Sequence, residues 1–287
     1  MKKGTSPTLE VIVATHKPYT IPTDSLYRPL LVGSSFFQAK YPDIKLPSIF
    51  SFDNTGKNIS EKNPNYSELT GLYWLWQNRA IKDKNPDSFY GLVHYRRFFS
   101  VKDTKEILTK KTLKSLLYDL DKNIKYDIIL PKKRHYFIEN LYSHYAHTLH
   151  IEPLNKTRQI IQDYHPEYLA EFDRLKMRRS AHMFNIFIMR KNLFNEYCEF
   201  LFDTLINLEK SLSKTELNQY DDFHARFFGR ISELLLDVFL YTKYPDLDQK
   251  TNVLELKIIE TEPVNWFTKI TSFLLAKFFG KKYHKSY

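Results

Sequence analysis

Apolar positions along the chain change period several times, and the changes mark its elements. Residues 9–15 (LEVIVAT) form a β-branched run ending in the polar His16-Lys17-Pro18, the pattern of a buried strand and its exit loop. Residues 48–52 predict a second short strand that opens into the turn-rich Asp53-Asn54-Thr55-Gly56. Over 65–79 the spacing becomes helical, with Leu69, Leu72, Tyr73 and Trp76 on one face. Residues 89–93 predict a strand running into His94-Tyr95-Arg96-Arg97, 105–120 a helix, and 126–130 a strand closed by Pro131. Two or three helices are expected within 138–176, and a strand over 181–189. Long amphipathic helices follow over 191–212 and 222–241, with a weak strand over 253–259.

Strands alternating with helices in the first half predict an α/β fold. Its mostly parallel sheet is flanked by helices, with a helical second half. Ligands of such sheets bind beyond the carboxyl ends of the strands. Chemistry is therefore sought in three loops: His16-Lys17, Asp53-Asn54 and His94 to Arg97.

Composition narrows the classes. The chain has 287 residues, 43% hydrophobic, which suits a globular protein with a full core. Lysine and arginine exceed aspartate and glutamate by 43 − 33 = 10, so an anionic partner or surface is expected. The basic residues are dispersed and no RNA-type aromatic motif is present, which argues against nucleic acid. Cys198 is the one cysteine, which excludes an internal disulfide and a thiolate zinc site and leaves a buried, inert thiol as the expectation. No signal-peptide core and no membrane-spanning run is visible, so a cytoplasmic protein is expected. None of the seven glycines forms a phosphate-cradling motif.

Within 53–76 (DNTGKNISEKNPNYSELTGLYWLW), Asn54, Asn58, Ser60, Asn63 and Asn65 are short polar groups suited to sugar hydroxyls. A capped loop ahead of a packed helix explains them equally. His94, Tyr95, Arg96 and Arg97 follow a strand, where paired guanidinium groups are placed to hold a diphosphate or simply to form a basic surface. Ser180, His182 and Asn185 stand at the entry to the 181–189 strand. Asp222, Arg226, Arg230, Glu233 and Asp237 recur on one helical face, either a salt-bridged surface or a catalytic carboxylate beside a phosphate clamp. His144, His147 and His150 fit no standard zinc spacing. Asp-Leu-Asp occurs at 119–121 and 246–248, but neither copy ends a predicted strand.

These motifs in this order, VIVATHK, DNTGKNISEKNPNYSELTGLYWLW, GLVHYRRFF, SAHMFNIFIMR with YCEFLF, and RFFGRISELLL, resemble one family across 9–241. It is a bacterial capsular and exopolysaccharide glycosyltransferase family long catalogued as a domain of unknown function. Its fold is GT-A-like, and it has galactofuranosyltransferase relatives. The resemblance implies transfer of galactofuranose or galactose from a UDP-sugar to a lipid-linked glycan in capsule, exopolysaccharide or O-antigen synthesis. It matches motif positions at His16 and Lys17, at Asp53, Asn54, Gly56, Asn58, Ser60, Asn63, Tyr66, Glu68 and Trp74, at His94 to Arg97, at Ser180, His182 and Asn185, and at Arg230 and Glu233.

On that basis His16, Lys17, Asn54, Asn58, His94, Tyr95, Arg96, Arg97 and Arg230 are donor-binding candidates. Trp74, His182 and Asn185 are acceptor-binding candidates, and Glu233, then Asp53 and Asp222, are the candidate catalytic carboxylates. In GT-A enzymes Asp-x-Asp follows the strand at 89–93, and here His-Tyr-Arg-Arg follows it. Cationic side chains can neutralise a leaving diphosphate, so no cofactor and metal-independent transfer are expected, with Mg²⁺ or Mn²⁺ as the alternative. The domain is expected over 1–263. A basic amphipathic helical tail over 264–287 is expected to dock on the anionic inner face of the membrane.

Overall fold

A computed structural model describes residues 7–101, 104–118, 123–249 and 252–262. The tail at 264–287, the domain limit at 263 and the first Asp-Leu-Asp, at 119–121, lie outside the described residues. The chain divides into two compact units. Of the described residues, the first holds those within 7–132, 184–199 and 246–261, and the second holds those within 133–183 and 200–245 together with 262.

The first unit is the α/β unit expected. Its strands are β1 (Leu9–Thr15), β2 (Tyr27–Leu31), β3 (Ser51–Phe52), β4 (Phe89–His94), β5 (Arg97–Phe99) and β6 (Ile128–Pro131). The second unit contributes the short pair β7 (Arg134–His135) and β8 (Ser180–Ala181). The chain then returns to the first unit with β9 (Phe187–Arg190), β10 (Val253–Leu256) and β11 (Ile258–Glu260). Among the described residues the main sheet runs β10-β6-β9-β4-β1-β2-β3, with β5 pairing both β4 and β11. The pairs β1–β2, β1–β4, β2–β3 and β6–β10 are parallel, and β9 runs antiparallel to β4 and β6.

Every residue of β1 is buried, because helices cover both faces. Val11 and Val13 join one apolar cluster with Leu113 and Leu117 of the helix Lys110–Leu117. Ile12 faces the opposite side, toward the helix Leu69–Leu75. There a Cβ on Gly71 would come within 2.8 Å of Val32 and 3.0 Å of Leu30, so only glycine lets this helix lie so close to the sheet.

The sequence did not mark β2, because Pro29 interrupts its apolar run. Pairing with β3 begins only at Leu30, so that ladder does not need the missing Pro29 N–H. The helix expected over 65–79 is broken. Asn63–Tyr66 forms one short turn, Ser67 turns to φ 51°, and Leu69–Leu75 resumes before a wide turn at Trp76–Ala80. The Asn63 side chain bridges the break, donating to the Ser67 carbonyl at 2.8 Å and the Thr70 hydroxyl at 3.2 Å. The single strand expected over 181–189 is likewise two pieces, β8 and β9, separated by Phe184 and Asn185 at φ 77° and 52°.

The second unit is helical, with Leu141–Thr148, Glu152–Tyr164, Leu169–Asp173 and Phe227–Lys243 as main elements. The long helix Lys191–Ser211 enters it from the first unit. Tyr168 stacks on Phe200 at 4.0 Å and on Phe239 at 6.1 Å, giving its core an aromatic centre. Cys198 is buried, and burial pushes its thiol well above the ordinary value, as expected of an inert thiol.

Candidate active site

The parallel strands β1 and β4 end side by side, with Ala14 opposite His94. The loops beyond them meet around Tyr95. The His16 ring packs edge-on to Tyr95 at 5.4 Å, the Lys17 ammonium lies 4.9 Å from its centroid, and the Arg96 guanidinium lies 5.7 Å away. The Thr15 hydroxyl shapes this exit loop, donating to the Lys17 carbonyl at 2.5 Å and accepting the Lys17 N–H at 3.2 Å. Tyr95 itself is buried, whereas His16 is exposed and Lys17 and Arg96 are half-buried. Its aromatic face thus holds two cations at the solvent edge of the sheet.

Arg97 behaves differently. Its guanidinium pairs with Glu260 of β11 at 3.3 Å and covers the Phe184 ring at 4.2 Å, and its side chain is 12% exposed. It fastens β11 and the 184–185 turn beside the site. His94 is similarly engaged: its Nε2 donates to the Phe184 carbonyl at 2.7 Å. A carbonyl only accepts, so this bond keeps a proton on Nε2.

Asp53 departs from the role expected of it. It is 0% exposed. Its carboxylate accepts five hydrogen bonds, from the backbone N–H groups of Gly33 and Ser34 and the hydroxyls of Ser34, Ser60 and Thr70, at 2.6–3.0 Å. Gly33 supplies one of these at φ 66°, where a side chain would strike Asn63. A carboxylate so filled has no lone pair for a substrate proton, and it ties the ends of β2 and β3 to the Leu69–Leu75 helix instead. Asn54 and Asn58 are exposed in the same loop, and Asn58 bonds within it, to Gly56 and Ser60. Trp74 is 8% exposed and donates its indole N–H to Thr55 at 2.8 Å, so it packs the loop from beneath and offers no ring face to an acceptor.

The three described non-glycine residues with positive φ, Ser67, Phe184 and Asn185, converge on one constellation. Asn185 is fully buried, and its side-chain amide donates to Glu68 at 2.7 Å. Glu68 follows Ser67 and is half-buried at the start of the Leu69–Leu75 helix. Asn185 therefore holds a protein carboxylate and does not face solvent as an acceptor ligand would.

In the second unit, His182 is 1% exposed and bonds Asp237, itself 0% exposed, through Nδ1 at 2.5 Å. This buried pair joins β8 to the helix Phe227–Lys243, so His182 also fails to present itself to an acceptor. The charged stripe expected over 222–237 is interrupted. Asp221 caps a turn through the N–H groups of His224 and Phe223; the His224 N–H, then the His224 ring and the Phe223 N–H, hold its carboxyl below the usual carboxylate range, and the helix begins only at Phe227. Asp222 and Arg226 are exposed ahead of that helix, Arg230 lies over the Phe223 ring at 4.6 Å, and Glu233 is half-buried. His144 and His147 both pair with buried Glu139, at 3.2 and 2.5 Å, and no metal-binding group of three or more His, Cys, Asp or Glu occurs among the described residues.

A family model described as "domain of unknown function (DUF4422)" matches residues 10–244. The chain belongs to this family. Among solved structures, the DUF4422 chain is similar to the apo structure of WbbM, a bifunctional glycosyltransferase, with TM-score 0.72 and 26% identity. The match covers 89% of this chain and 46% of that one, so the chain spans less than half of WbbM. No curated protein matches it. The fold of this DUF4422 chain, a largely parallel sheet flanked by helices, is thus one found in a glycosyltransferase.

Geometry sorts the candidate positions of this DUF4422 chain. His16, Lys17, Tyr95 and Arg96 gather at the ends of β1 and β4. Glu68, His94, Arg97 and Asn185 gather around the 184–185 turn beside them. Sequence patterning put Glu68 in a motif without giving it work, because neither backbone strain nor a bond spanning 117 residues leaves a mark on hydrophobic periodicity.

Proposed function

We propose that the chain is a glycosyltransferase that moves a hexosyl group from a nucleoside-diphosphate sugar to a glycan acceptor. The observation that carries this is the cationic shelf around Tyr95 at the carboxyl ends of β1 and β4, where sheets of this kind bind ligands. Breaking the bond between the anomeric carbon and the diphosphate leaves negative charge on the diphosphate. Lys17 and Arg96, held on one ring, meet that charge without reorganising. Arg97 and His94 brace the floor.

The finer assignments continue the sequence expectations. The donor is a UDP-sugar, UDP-galactofuranose or UDP-galactose, and the acceptor is a lipid-linked glycan of capsule, exopolysaccharide or O-antigen synthesis. Because two cations supply the charge that a divalent ion supplies elsewhere, transfer is metal-independent. The described residues contain no helix long and apolar enough to cross a membrane. Lys269, Lys277, Lys281, Lys282 and Lys285, with Trp266, Phe273 and Phe278, give the tail the composition of an interfacial helix, and we place the enzyme at the cytoplasmic membrane face through it. The full chain should then sediment with anionic vesicles at low salt and not with neutral ones. Equal sedimentation with both would remove the electrostatic docking.

The deciding experiment incubates the protein with a panel of nucleotide sugars and a galactoside acceptor, with products read by mass spectrometry. A new glycoside with release of UDP is expected. Binding of the galactoside with no product from any donor would support a polysaccharide-binding protein instead.

A further inference from the structure

Four carboxylates are fixed by the structure in ways that bear on the reaction. Asp53 is filled by five donors. Asp237 is sealed against His182. Glu10 is buried between Arg28 and Arg79 within β1, where its neighbour across the ladder is Tyr90, near the start of β4 and away from the strand ends. Glu68 alone of these is half-buried, and it is bound through Asn185 to the turn that also fixes His94.

Backbone strain singles out the same place. A phenylalanine at φ 77° is a sterically poor arrangement, and a serine at φ 51° and ψ −130° occupies a region that glycine favours. Each such residue is energetically unfavourable and persists only where the surroundings over-determine it. Here they do. Phe184 is pinned by His94 at its carbonyl and by Arg97 over its ring, Asn185 is buried against Glu68, and Ser67 is bridged by Asn63. The strained positions all set one object, the orientation of the Glu68 carboxylate beside the strand ends.

We propose that Glu68 is the catalytic base, with Asn185 and His94 as its positioning residues. The inference rests on the glycosyltransferase reading and names the group that completes the reaction. The acceptor oxygen forms a bond to the anomeric carbon while the bond from that carbon to the diphosphate breaks, its electron pair leaving on the diphosphate. The hydroxyl proton passes to a Glu68 carboxylate oxygen and then to water. Asn185 donates to one oxygen, Oε1, and so fixes which way the carboxylate faces. The Phe184 carbonyl locks the His94 ring, and with it the turn that carries Asn185.

The test follows release of UDP from UDP-galactose and UDP-galactofuranose, with water or octyl galactoside as acceptor, across pH. Glu68→Gln should lower kcat by about 10²-fold or more and abolish the acidic limb of the pH profile, while UDP affinity stays within about twofold. Asn185→Ala should lower kcat and leave the acidic limb present but displaced. Glu68→Asp keeps the charge and shortens the reach, so it should retain the limb with reduced kcat, and it serves if the glutamine variant does not fold. Active wild-type protein together with a Glu68→Gln variant within threefold of it overturns this inference and leaves the transferase reading standing. An acidic limb that disappears in Glu233→Gln and persists in Glu68→Gln overturns it in the same way. Wild-type protein that turns over neither donor removes the reaction itself, and the inference with it.

Discussion

The side-chain amide of Asn185 donates to Glu68 at 2.7 Å across 117 residues of chain, and the backbone has positive φ at Asn185 itself and at Ser67, the residue before Glu68. A protein that merely needed to close these two turns would place glycine there. Ser67 tests the point. Its N–H and carbonyl are already bonded to Asn63, so Ser67→Gly keeps the contacts and removes the steric penalty. Urea unfolding should show a stability gain of about 1 kcal/mol. A loss of stability would mean that the serine side chain carries an interaction outweighing the strain.

Asp53 is expected to matter to folding and not to proton transfer. Asp53→Ala strands five donors in the interior, and each hydrogen bond to a charged group is worth about 1.5–3 kcal/mol. Losses are not additive, but chemical denaturation should report a destabilisation of at least about 2 kcal/mol. Unchanged stability with a large fall in kcat would restore Asp53 to the catalytic role suggested by sequence.

The two neighbouring arginines should separate. Arg96→Ala should weaken UDP binding by about 1.5–3 kcal/mol, since its guanidinium lies 5.7 Å from the Tyr95 centroid at the strand ends. Arg97→Ala should instead lower the unfolding temperature, because it loses Glu260 and the Phe184 ring together. Thermal unfolding and UDP titration of both variants check the split, and identical behaviour of the pair contradicts it.

Stability should also depend on pH through His144. Burial against Tyr136 is the main cause that pushes this imidazole down from 6.5 to about 4; Arg134 and His147 act in the same direction, and Glu139 opposes them. The unfolded chain therefore binds the proton first as pH falls. This contribution is intact above 6.5, is lost between 6.5 and about 4, and amounts to at most roughly 3 kcal/mol. His144→Gln should flatten that part of the stability–pH curve. A curve of unchanged slope would place the proton uptake elsewhere.

Much of this arrangement was legible from the sequence, and the remainder has identifiable physical causes. The run LEVIVAT and the shift to helical spacing at Leu69 gave β1 and its covering helix, because burial on both faces leaves a continuous apolar strand beside an amphipathic helix. The loops after β1 and β4 were correctly marked as strand exits, and Tyr95 brings them together. Trp74, His182 and Asn185 were expected to meet an acceptor and are buried instead, since a polar motif residue satisfied by another protein group is indistinguishable in sequence from one satisfied by a ligand. The stripe from Asp222 to Asp237 assumed one uninterrupted helix, and the Asp221 cap starts that helix five residues late, at Phe227 in place of Asp222. Strain at Phe184 had no sequence signal, because nothing local predicts a phenylalanine at positive φ.

The most direct measurement is a calorimetric titration of UDP into the full chain in buffer containing EDTA, repeated with Lys17→Ala and Arg96→Ala. Binding without a divalent ion is expected, weakened about tenfold or more in each variant, in keeping with about 1.5–3 kcal/mol for each charge-assisted contact. Binding that appears only when Mg²⁺ or Mn²⁺ is added, or affinity unchanged in both folded variants, would contradict a metal-free diphosphate site on the shelf around Tyr95.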